Sequence, residues 1–265
     1  MTLMAGASPI RVYASSLVDP NHLNDTLNIN LEFENGSTGA ICYYANGGKS
    51  LAKEYLENGD TVYAIGKTIP KKLDQYPHFF FFPYDLSETF MIQSTLKDFL
   101  QHRSFDIVIL NAGLLGDIQT LSQTDLMDAK AVMEVNVWAN KELIDTLHAH
   151  AQVKQIVGIS SGAAVNGSKG WGAYSLSKSG LNMLLNVYAK ELPDIHFTAL
   201  APGIIRTPMV EHIINEVNDE LFPSAKKLKE SHIQTPQEAA NHLIAIFPQL
   251  LEYESGSFLD VRTMS

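Results

Sequence analysis

The sequence predicts one large α/β domain in which helices cover a doubly wound parallel sheet. From Lys49 onward, short apolar runs with the length of buried strands alternate with amphipathic segments with the length of helices. Turn residues separate these runs, as Gly59 does at the end of the first helical segment. A chain of 265 residues, of which 45% are hydrophobic, is long enough to build one such core.

The predicted strands are mostly apolar, which is typical of parallel strands that are buried on both faces. Four consecutive phenylalanines in the second run, for example, need apolar cover on both sides. Strands are predicted at residues 61–66, 79–82, 105–110, 155–160, 195–200 and 257–261. Helices are predicted at residues 49–58, 89–102, 124–148, 172–191 and 236–247, and residues 204–231 are predicted as a largely helical lid.

Composition argues against several functional classes. The net charge of -10 opposes a nucleic-acid partner, because binding to nucleic acid needs a basic stripe. The one cysteine, Cys42, allows no disulfide within the chain and favours a reducing compartment, so we expect a cytoplasmic protein. No apolar run reaches the length of a membrane helix, and no membrane partner is expected. His148 and His150 point to different helix faces, so no metal site is expected.

A tyrosine and a lysine form the candidate catalytic pair. The segment Tyr174-Ser-Leu-Ser-Lys178 places a phenol and an ammonium one helical turn apart on the same face. A free phenol has a pKa of about 10, and a neighbouring cation favours the phenolate, which suits a general acid or base. Alone, the pair also fits an ordinary surface contact. Ser161, at the end of a predicted strand, can hydrogen-bond a substrate carbonyl beside the tyrosine.

The motifs together resemble the short-chain dehydrogenase/reductase family over residues 49–265, and within it the sepiapterin reductases and similar carbonyl reductases. The resemblance implies a Rossmann-type fold and an NADP-dependent oxidoreductase that reduces a ketone or aldehyde, or oxidises the alcohol. It also implies a homodimer or homotetramer that associates through the helices at 124–148 and 172–191. The matching motifs are Asn111-Ala112-Gly113, Asn136 in VMEVNVWAN, Ser160-Ser161 in IVGISS, Tyr174-xxx-Lys178, Pro202-Gly203-xxx-Thr207 and the closing GSFLDV.

The resemblance implies a role for each matching residue near the carbonyl. Tyr174 would give a proton to the carbonyl oxygen while NADPH delivers hydride to the carbon. Lys178 would bind the nicotinamide ribose and assist Tyr174. Ser161 would orient the carbonyl, with Ser160 as the less favoured substitute. Asn136 would hold a water that passes protons to Lys178, unless it is a structural amide.

The resemblance also implies the cofactor contacts. Thr207 would contact the nicotinamide carboxamide and Asp85 the adenine. In doubly wound sheets ligands bind at the carboxyl ends of the strands, and most of these residues follow predicted strands. The expected cofactor-binding residues are Gly47, Gly48, Lys67, Thr68, Asp85, Leu86, Asn111, Ala112, Gly113, Tyr174, Lys178, Pro202, Gly203 and Thr207.

Charge at the end of the second family strand distinguishes the two nicotinamide cofactors. Enzymes that select NAD place a carboxylate there, which binds the ribose 2′-hydroxyl. Here the strand ends in Ile65-Gly66-Lys67-Thr68, with one cation and no acid. The sequence therefore favours NADP over NAD.

The phosphate-binding turn of the family, Thr-Gly-xxx-Gly-x-Gly, is missing from its expected place before Lys49. The chain reads TGAICYYANGGKS from Thr38 to Ser50, so Gly47 and Gly48 would form a shortened anion site. Gly48-Lys49-Ser50 also fits a phosphate-binding loop of a kinase or ATPase. Tyr43, however, stands where that loop needs its leading glycine.

Residues 1–50 resemble part of the C-terminal sheet of the glucose–fructose oxidoreductase/inositol dehydrogenase family. This resemblance carries no catalytic residue. It implies a hairpin of residues 27–33 and 38–45, joined by an Asn-Gly turn at 34–37. The chain would then join two segments of different origin.

The absent first strand is the central one of the family sheet, and its loss would leave backbone groups unpaired in the core. We therefore predict that residues 38–45 replace it, leave the hairpin and pair with the second and fourth strands. Residues 1–37 are predicted as a β-rich extension, loosely attached through residue 36, and residues 38–265 as the domain. The alternative is a chimera that keeps the reductase fold without cofactor binding or catalysis, inert or serving only as a binding partner.

Overall fold

The computed structural model describes residues 9–14, 26–33, 38–44 and 47–264, with side chains at residues 50–264. The strands are β1 (Pro9–Ala14), β2 (Thr26–Phe33), β3 (Thr38–Tyr44), β4 (Val62–Gly66), β5 (Phe79–Pro83), β6 (Ser104–Phe105), β7 (Val108–Leu110), β8 (Gln152–Val153), β9 (Gln155–Ile159), β10 (His196–Ala201) and β11 (Ser257–Asp260). The α-helices are α1 (Gly47–Glu57), α2 (Ile92–Leu100), α3 (Leu126–Met133), α4 (Ala139–His150), α5 (Gly172–Glu191), α6 (Pro208–Glu216), α7 (Pro223–Glu230) and α8 (Pro236–Ile246).

Four parallel strands form the half of the sheet that follows the predicted order, β11-β10-β9-β7. Strand β9 is buried at every position, as expected for a strand covered on both faces. It pairs with β10 from Gln155 to Ile159 on one edge and with β7 on the other. The predicted parallel α/β sheet is confirmed, and the helix at 172–191 has the predicted bounds.

Strands β4 and β5 form a second parallel pair, from Val62 with Phe79 to Gly66 with Pro83. All five residues of β4 are buried. The phenylalanines of β5 are only half-buried, so the prediction of full apolar cover on both of their faces is wrong. The uncovered part of these rings reflects the position of β5 toward the margin of its sheet, where β1 pairs with it at only two residues.

The N-terminal strands form an antiparallel unit that joins β4 and β5. Strands β2 and β3 pair as the expected hairpin, whose turn at residues 34–37 lies outside the described residues. Strand β2 also pairs with β4 in an antiparallel register, residues 28–30 against residues 63–65. Strand β1 pairs with β2 in antiparallel fashion and with β5 in parallel.

The prediction that residues 38–45 leave the hairpin and pair with both the second and the fourth family strands is wrong. Among the described strands, β3 pairs with β2 alone, and β2 supplies the hydrogen bonds to β4. The hairpin ladder satisfies the backbone groups along one edge of β3 locally, and opening it would break those bonds before others form. Loose attachment is also wrong for β1 and β2, since both pair with the sheet. The domain boundary at residue 37 stays a prediction.

The long helix predicted at 124–148 is interrupted at its middle. Helix α3 ends at Met133, a π-helical turn spans Glu134–Trp138, and α4 begins at Ala139. A π turn adds a residue to the helical repeat and is frequent at functional sites. Asn136 lies in this turn and is fully buried, so the irregularity has a specific polar side chain at its centre.

The helices pack into one apolar core that extends from Leu51 to Val261. Helix α1 packs against α8, α2 packs against α4, and α5 packs against β10. The predicted lid contains α6 and α7, which continue from the carboxyl end of β10. Among the described helices, none combines the length and apolar character that crossing a membrane requires.

Candidate active site

A cavity of about 460 Å³ opens at the carboxyl ends of β7, β9 and β10. Helices α5, α6, α7 and α8 complete its wall. This is the edge of the sheet at which doubly wound folds bind ligands. The predicted site residues that line it are Asn111, Ser160, Ser161, Tyr174, Pro202, Gly203 and Thr207. In the described part of the chain, no three His, Cys, Asp or Glu side chains are grouped so as to hold a metal ion.

Helix α5 presents Tyr174 to the cavity from its first turns. The helix begins at Gly172, directly after Trp171. A Cβ at position 172 would lie 2.7 Å from Cδ1 of Leu121, so the close approach of these two segments favours glycine there. Tyr174 is 7% exposed and packs in a small apolar cluster with Trp171 and Ile213. The ring of Tyr174 is therefore largely removed from solvent, and the residue still lines the cavity.

Lys178 is fully buried behind Tyr174 and lies outside the cavity wall. Its Nζ donates a hydrogen bond to the carbonyl oxygen of Ile159 at 2.8 Å and lies 5.8 Å from the centroid of the Tyr174 ring. Burial lowers the pKa of Lys178 to about 7, because a dry environment disfavours the ammonium. The pair predicted from the sequence thus lies on one face of the helix, with the cation on the inner side.

The two serines after β9 have different surroundings. Ser161 caps the 3-10 turn Gly162–Ala164, where its hydroxyl oxygen accepts a hydrogen bond from the amide of Ala163 at 3.1 Å. The hydroxyl proton of Ser161 is therefore still available to donate to a carbonyl in the cavity. Ser160 instead donates its hydroxyl proton to the side chain of Asn182. Of the two, Ser161 suits the predicted orienting role.

Asn136 joins three elements with its amide. Its Oδ1 accepts from the Leu114 amide at 2.7 Å, and its Nδ2 donates to the Leu114 carbonyl at 2.9 Å and to Ser177 Oγ at 2.8 Å. Ser177 in turn donates to the carbonyl of Tyr174 at 2.7 Å. The arrangement matches the structural-amide alternative, with the amide holding the loop after β7 against α5. The predicted water relay stays a prediction.

The loop after β7 has an unsatisfied donor. Asn111 is 5% exposed, and its buried Nδ2 makes no hydrogen bond to the described part of the chain. Ala112 is fully buried, and neither it nor Gly113 is in the cavity wall. An unsatisfied buried amide costs free energy unless a ligand accepts from it.

Lys67 and Asp85 meet at the carboxyl ends of β4 and β5. The Lys67 ammonium lies 2.6 Å from the Asp85 carboxylate, and each side chain is about a quarter exposed (27% and 28%). Burial opposes ionisation of Asp85, but hydrogen bonds from Lys67 and Ser87 outweigh it, so its pKa is lowered. Thr68 is exposed, and Leu86 is buried in the core. The structure thus groups this pair apart from the catalytic wall.

Gly203 and Thr207, two of the predicted cofactor-binding residues, lie in the cavity wall. Gly203 has a φ of +81°, a conformation that favours glycine, and a Cβ there would meet Gln234 at 2.8 Å. Thr207 caps α6 by accepting from the amide of Val210 at 3.3 Å. Gly47 and Gly48 form the first turn of α1, so their amides belong to a helix start and not to a separate loop.

The residues of the cavity wall that sequence reasoning missed include Trp171, Lys227 and Arg262. The Trp171 indole donates a hydrogen bond to Ser224 and so connects the lid to the catalytic helix. Arg262 follows β11 and pairs with Asp260. A sequence signal existed for Arg262, since charged residues at the carboxyl end of the last predicted strand fall on the ligand-binding edge.

A family model and two relatives of known sequence resemble this chain, and all three are dehydrogenases, reductases or oxidoreductases by description. Residues 45–218 match the family model described as short chain dehydrogenase. An uncharacterized oxidoreductase of Schizosaccharomyces pombe is 34% identical over 57% of this chain and 64% of its own length. A benzil reductase of Bacillus cereus that forms (S)-benzoin is 29% identical over 63% of this chain and 74% of its own length. The match thus covers less than two thirds of the length of the Schizosaccharomyces pombe oxidoreductase.

A solved structure supports the fold. A short chain dehydrogenase/reductase from Saccharomyces cerevisiae superposes with a TM-score of 0.67, covering 82% of this chain and 92% of that one. The sequences are 21% identical, so the likeness concerns the fold alone.

We predict that replacing Asn136 with alanine destabilises the protein by about 2–4 kcal/mol, because it leaves the amide and carbonyl of Leu114 without partners. Chemical denaturation measures the change. Asn215→Ala, which removes an exposed amide with one long hydrogen bond of 3.4 Å, is the matched control and should change stability by less than about 0.5 kcal/mol. Equal stability of the two variants would contradict the structural role.

Proposed function

This chain belongs to the short-chain dehydrogenase family, and we propose that it reduces a ketone or aldehyde to an alcohol with NADPH. The observation that carries this proposal is the wall that joins Tyr174, Ser161 and Asn111 in one cavity, with Lys178 buried behind the phenol. The benzil reductase relative supports a carbonyl as the substrate class. The reverse reaction, oxidation of the alcohol, uses the same residues.

The chain's own residues supply the proton and the orientation. Ser161 donates a hydrogen bond to the carbonyl oxygen, and Tyr174 transfers its phenolic proton to that oxygen as negative charge develops there. Lys178, when protonated, places positive charge behind the phenol at 5.8 Å from its ring centroid. In the reverse direction Tyr174 accepts the proton from the alcohol. When bound, the nicotinamide dinucleotide supplies the hydride.

The residues at the strand ends fit such a cofactor. The buried Nδ2 of Asn111 offers a donor without a partner among the described residues, which suits a sugar hydroxyl. Gly203 keeps its backbone free of a side chain at a position where the chain turns sharply. Asn111 and Thr207, which line the cavity, would hold the nicotinamide ribose end, whereas Lys178 lies behind the wall and would act through Tyr174. The amides of Gly47 and Gly48 would hold phosphate at the start of α1.

The charge at the end of β4 supports NADP over NAD within this proposal. Lys67 directly follows the last residue of β4, and its Nζ lies 2.6 Å from Oδ2 of Asp85. A 2′-phosphate would be attracted to the ammonium, although Asp85 offsets part of that attraction. We therefore propose a preference for NADP that is moderate in size.

Association of identical chains is also part of the proposal. Helices α3 and α5 expose large apolar side chains, as expected for helices that associate with a second copy. These side chains are Leu126, Met127, Leu176, Met183 and Val187. We further propose a cytoplasmic location, which the single cysteine supports.

We predict that Tyr174→Phe lowers kcat/KM for benzil at least about a hundredfold, because the variant has no phenolic proton to transfer. The assay follows NADPH absorbance. The matched control is Tyr188→Phe on the same helix, whose hydroxyl donates to Asp145 away from the cavity, and it should stay within about twofold of the wild type.

Full activity in Tyr174→Phe would contradict the assignment of the proton donor. A wild-type chain that melts cooperatively and reduces no member of a carbonyl panel with either cofactor would favour the alternative, a reductase fold without catalysis.

We predict that Lys67→Glu lowers the preference for NADPH over NADH at least about tenfold, because an attraction to the 2′-phosphate becomes a repulsion. Calorimetric dissociation constants for both cofactors give the preference. Lys71→Glu makes the same charge change at an exposed position and should leave the preference unaltered. An unaltered preference in Lys67→Glu would remove Lys67 from the cofactor site.

A further inference from the structure

The described wall of the cavity carries two cations and no carboxylate. The cations are Lys227 on α7 and Arg262 just after β11. The chain as a whole has the opposite balance, with a net charge of -10. Both charged side chains in the described wall are therefore basic, which the acidic composition of the chain does not predict.

Arg262 is held in place by Asp260. Its Nε donates to Oδ1 at 2.8 Å, its Nη2 donates to Oδ2 at 2.5 Å, and its backbone amide donates to Oδ1 at 3.0 Å. The side chain of Asp260 is 15% exposed, whereas that of Arg262 is 54% exposed. Hydrogen bonding from Arg262 holds the pKa of the Asp260 carboxyl below its usual range, so the pair is ionised at neutral pH.

This pairing leaves one edge of the guanidinium available. Asp260 occupies the edge formed by Nε and Nη2, while Nη1 makes no hydrogen bond to the described residues. Nη1 and the second hydrogen of Nη2 therefore form an edge with two donors side by side. Such an edge matches the spacing of the two oxygens of a carboxylate.

The guanidinium lies beside the residues that would hold the carbonyl. A Cβ built on Gly162 would be 3.2 Å from Nη2 of Arg262, and Gly162 directly follows Ser161. Ser161, Gly162, Tyr174 and Arg262 all line the same cavity. A substrate whose carbonyl meets Ser161 and Tyr174 thus has Arg262 within reach of a nearby substituent.

We propose that Arg262 selects carbonyl substrates that bear a carboxylate, which it binds through its unoccupied edge, with Lys227 adding positive charge to the wall. The inference rests on the proposed carbonyl reductase function and specifies its substrate class. Because Asp260 neutralises the charge of Arg262, the selectivity comes from directed hydrogen bonds more than from long-range attraction. The apolar part of the wall, which includes Ile205, Met209 and Ile213, receives the hydrocarbon part of the substrate.

The test compares aromatic keto acids with their methyl esters, using benzoylformate, benzoylpropionate and benzoylbutyrate so that the distance from carbonyl to carboxylate varies. We expect the wild type to prefer at least one acid to its ester in kcat/KM. Arg262→Met should lower that acid-to-ester ratio about tenfold or more, mainly through KM, since the hydrogen bonds are made in both the bound and the transition state. Arg262→Lys keeps the charge without the two-donor edge and should give an intermediate ratio.

Lys226→Met is the matched control for a lost cation. Lys226 is an exposed residue of α7 outside the cavity wall, and its removal should leave the acid-to-ester ratio unchanged. A ratio that favours every ester, or a preference for the acid that survives Arg262→Met, would overturn the inference.

Failure of the proposed function has a different signature, namely that neither acids nor esters are reduced. In that case, calorimetry measures the dissociation constant of benzoylpropionate for the wild type and for Arg262→Met, with NADPH present. This comparison tests carboxylate binding by Arg262 without relying on turnover. Binding about tenfold weaker in Arg262→Met than in the wild type would support the inference. Equal binding would overturn it.

Discussion

The fold depends on hydrogen-bond partners for both edges of the buried strand β4. Strand β4 is buried at all five positions, so its backbone amides and carbonyls have no access to water and need partners on both sides. Strand β5 satisfies one edge in parallel, and β2 satisfies the other in antiparallel fashion. The hairpin of β2 and β3 thereby takes over a task that a parallel strand performs in the usual doubly wound sheet. Strands β4 and β5 remain a parallel pair, and β7, β9, β10 and β11 remain a parallel group.

The parallel half of the sheet builds the wall of the candidate active site. Strands β7, β9 and β10 end at the same edge, and their carboxyl ends place Asn111, Ser161 and Gly203 around one cavity. Helix α5 lies against β10 and adds Tyr174. The carbonyl of Ile159, at the end of β9, holds the ammonium of Lys178. Tyr174 and Lys178, the proposed proton donor and its assistant, are therefore positioned by β9, β10 and α5, none of which pairs with the described N-terminal strands.

Local patterns in the sequence predicted the parallel strands, the helix that carries Tyr174 and the grouping of strand-end residues, because each depends on periodicity or on a short motif. The pairing of β2 with β4 was not predictable in this way, since it results from competition between distant strand edges. In the break at Glu134–Trp138, the Asn136 amide finds its partners at Leu114, in a loop that is distant along the chain. The place of Arg262 in the wall depends on its ion pair with Asp260. These features belong to tertiary structure, and periodicity carries no information about them.

Calorimetric titration of the 265-residue chain with NADPH, once a cooperative melt shows that it is folded, tests the central claim most directly. The claim is that the chain still binds NADPH although an antiparallel hairpin pairs with β4. In this account, the first turn of α1 binds the phosphate groups of the cofactor. The account predicts one NADPH per chain with a dissociation constant in the micromolar range. A folded chain that takes up neither NADPH nor NADH would contradict it, and would show that Tyr174 and Lys178 are present in a fold that cannot use them.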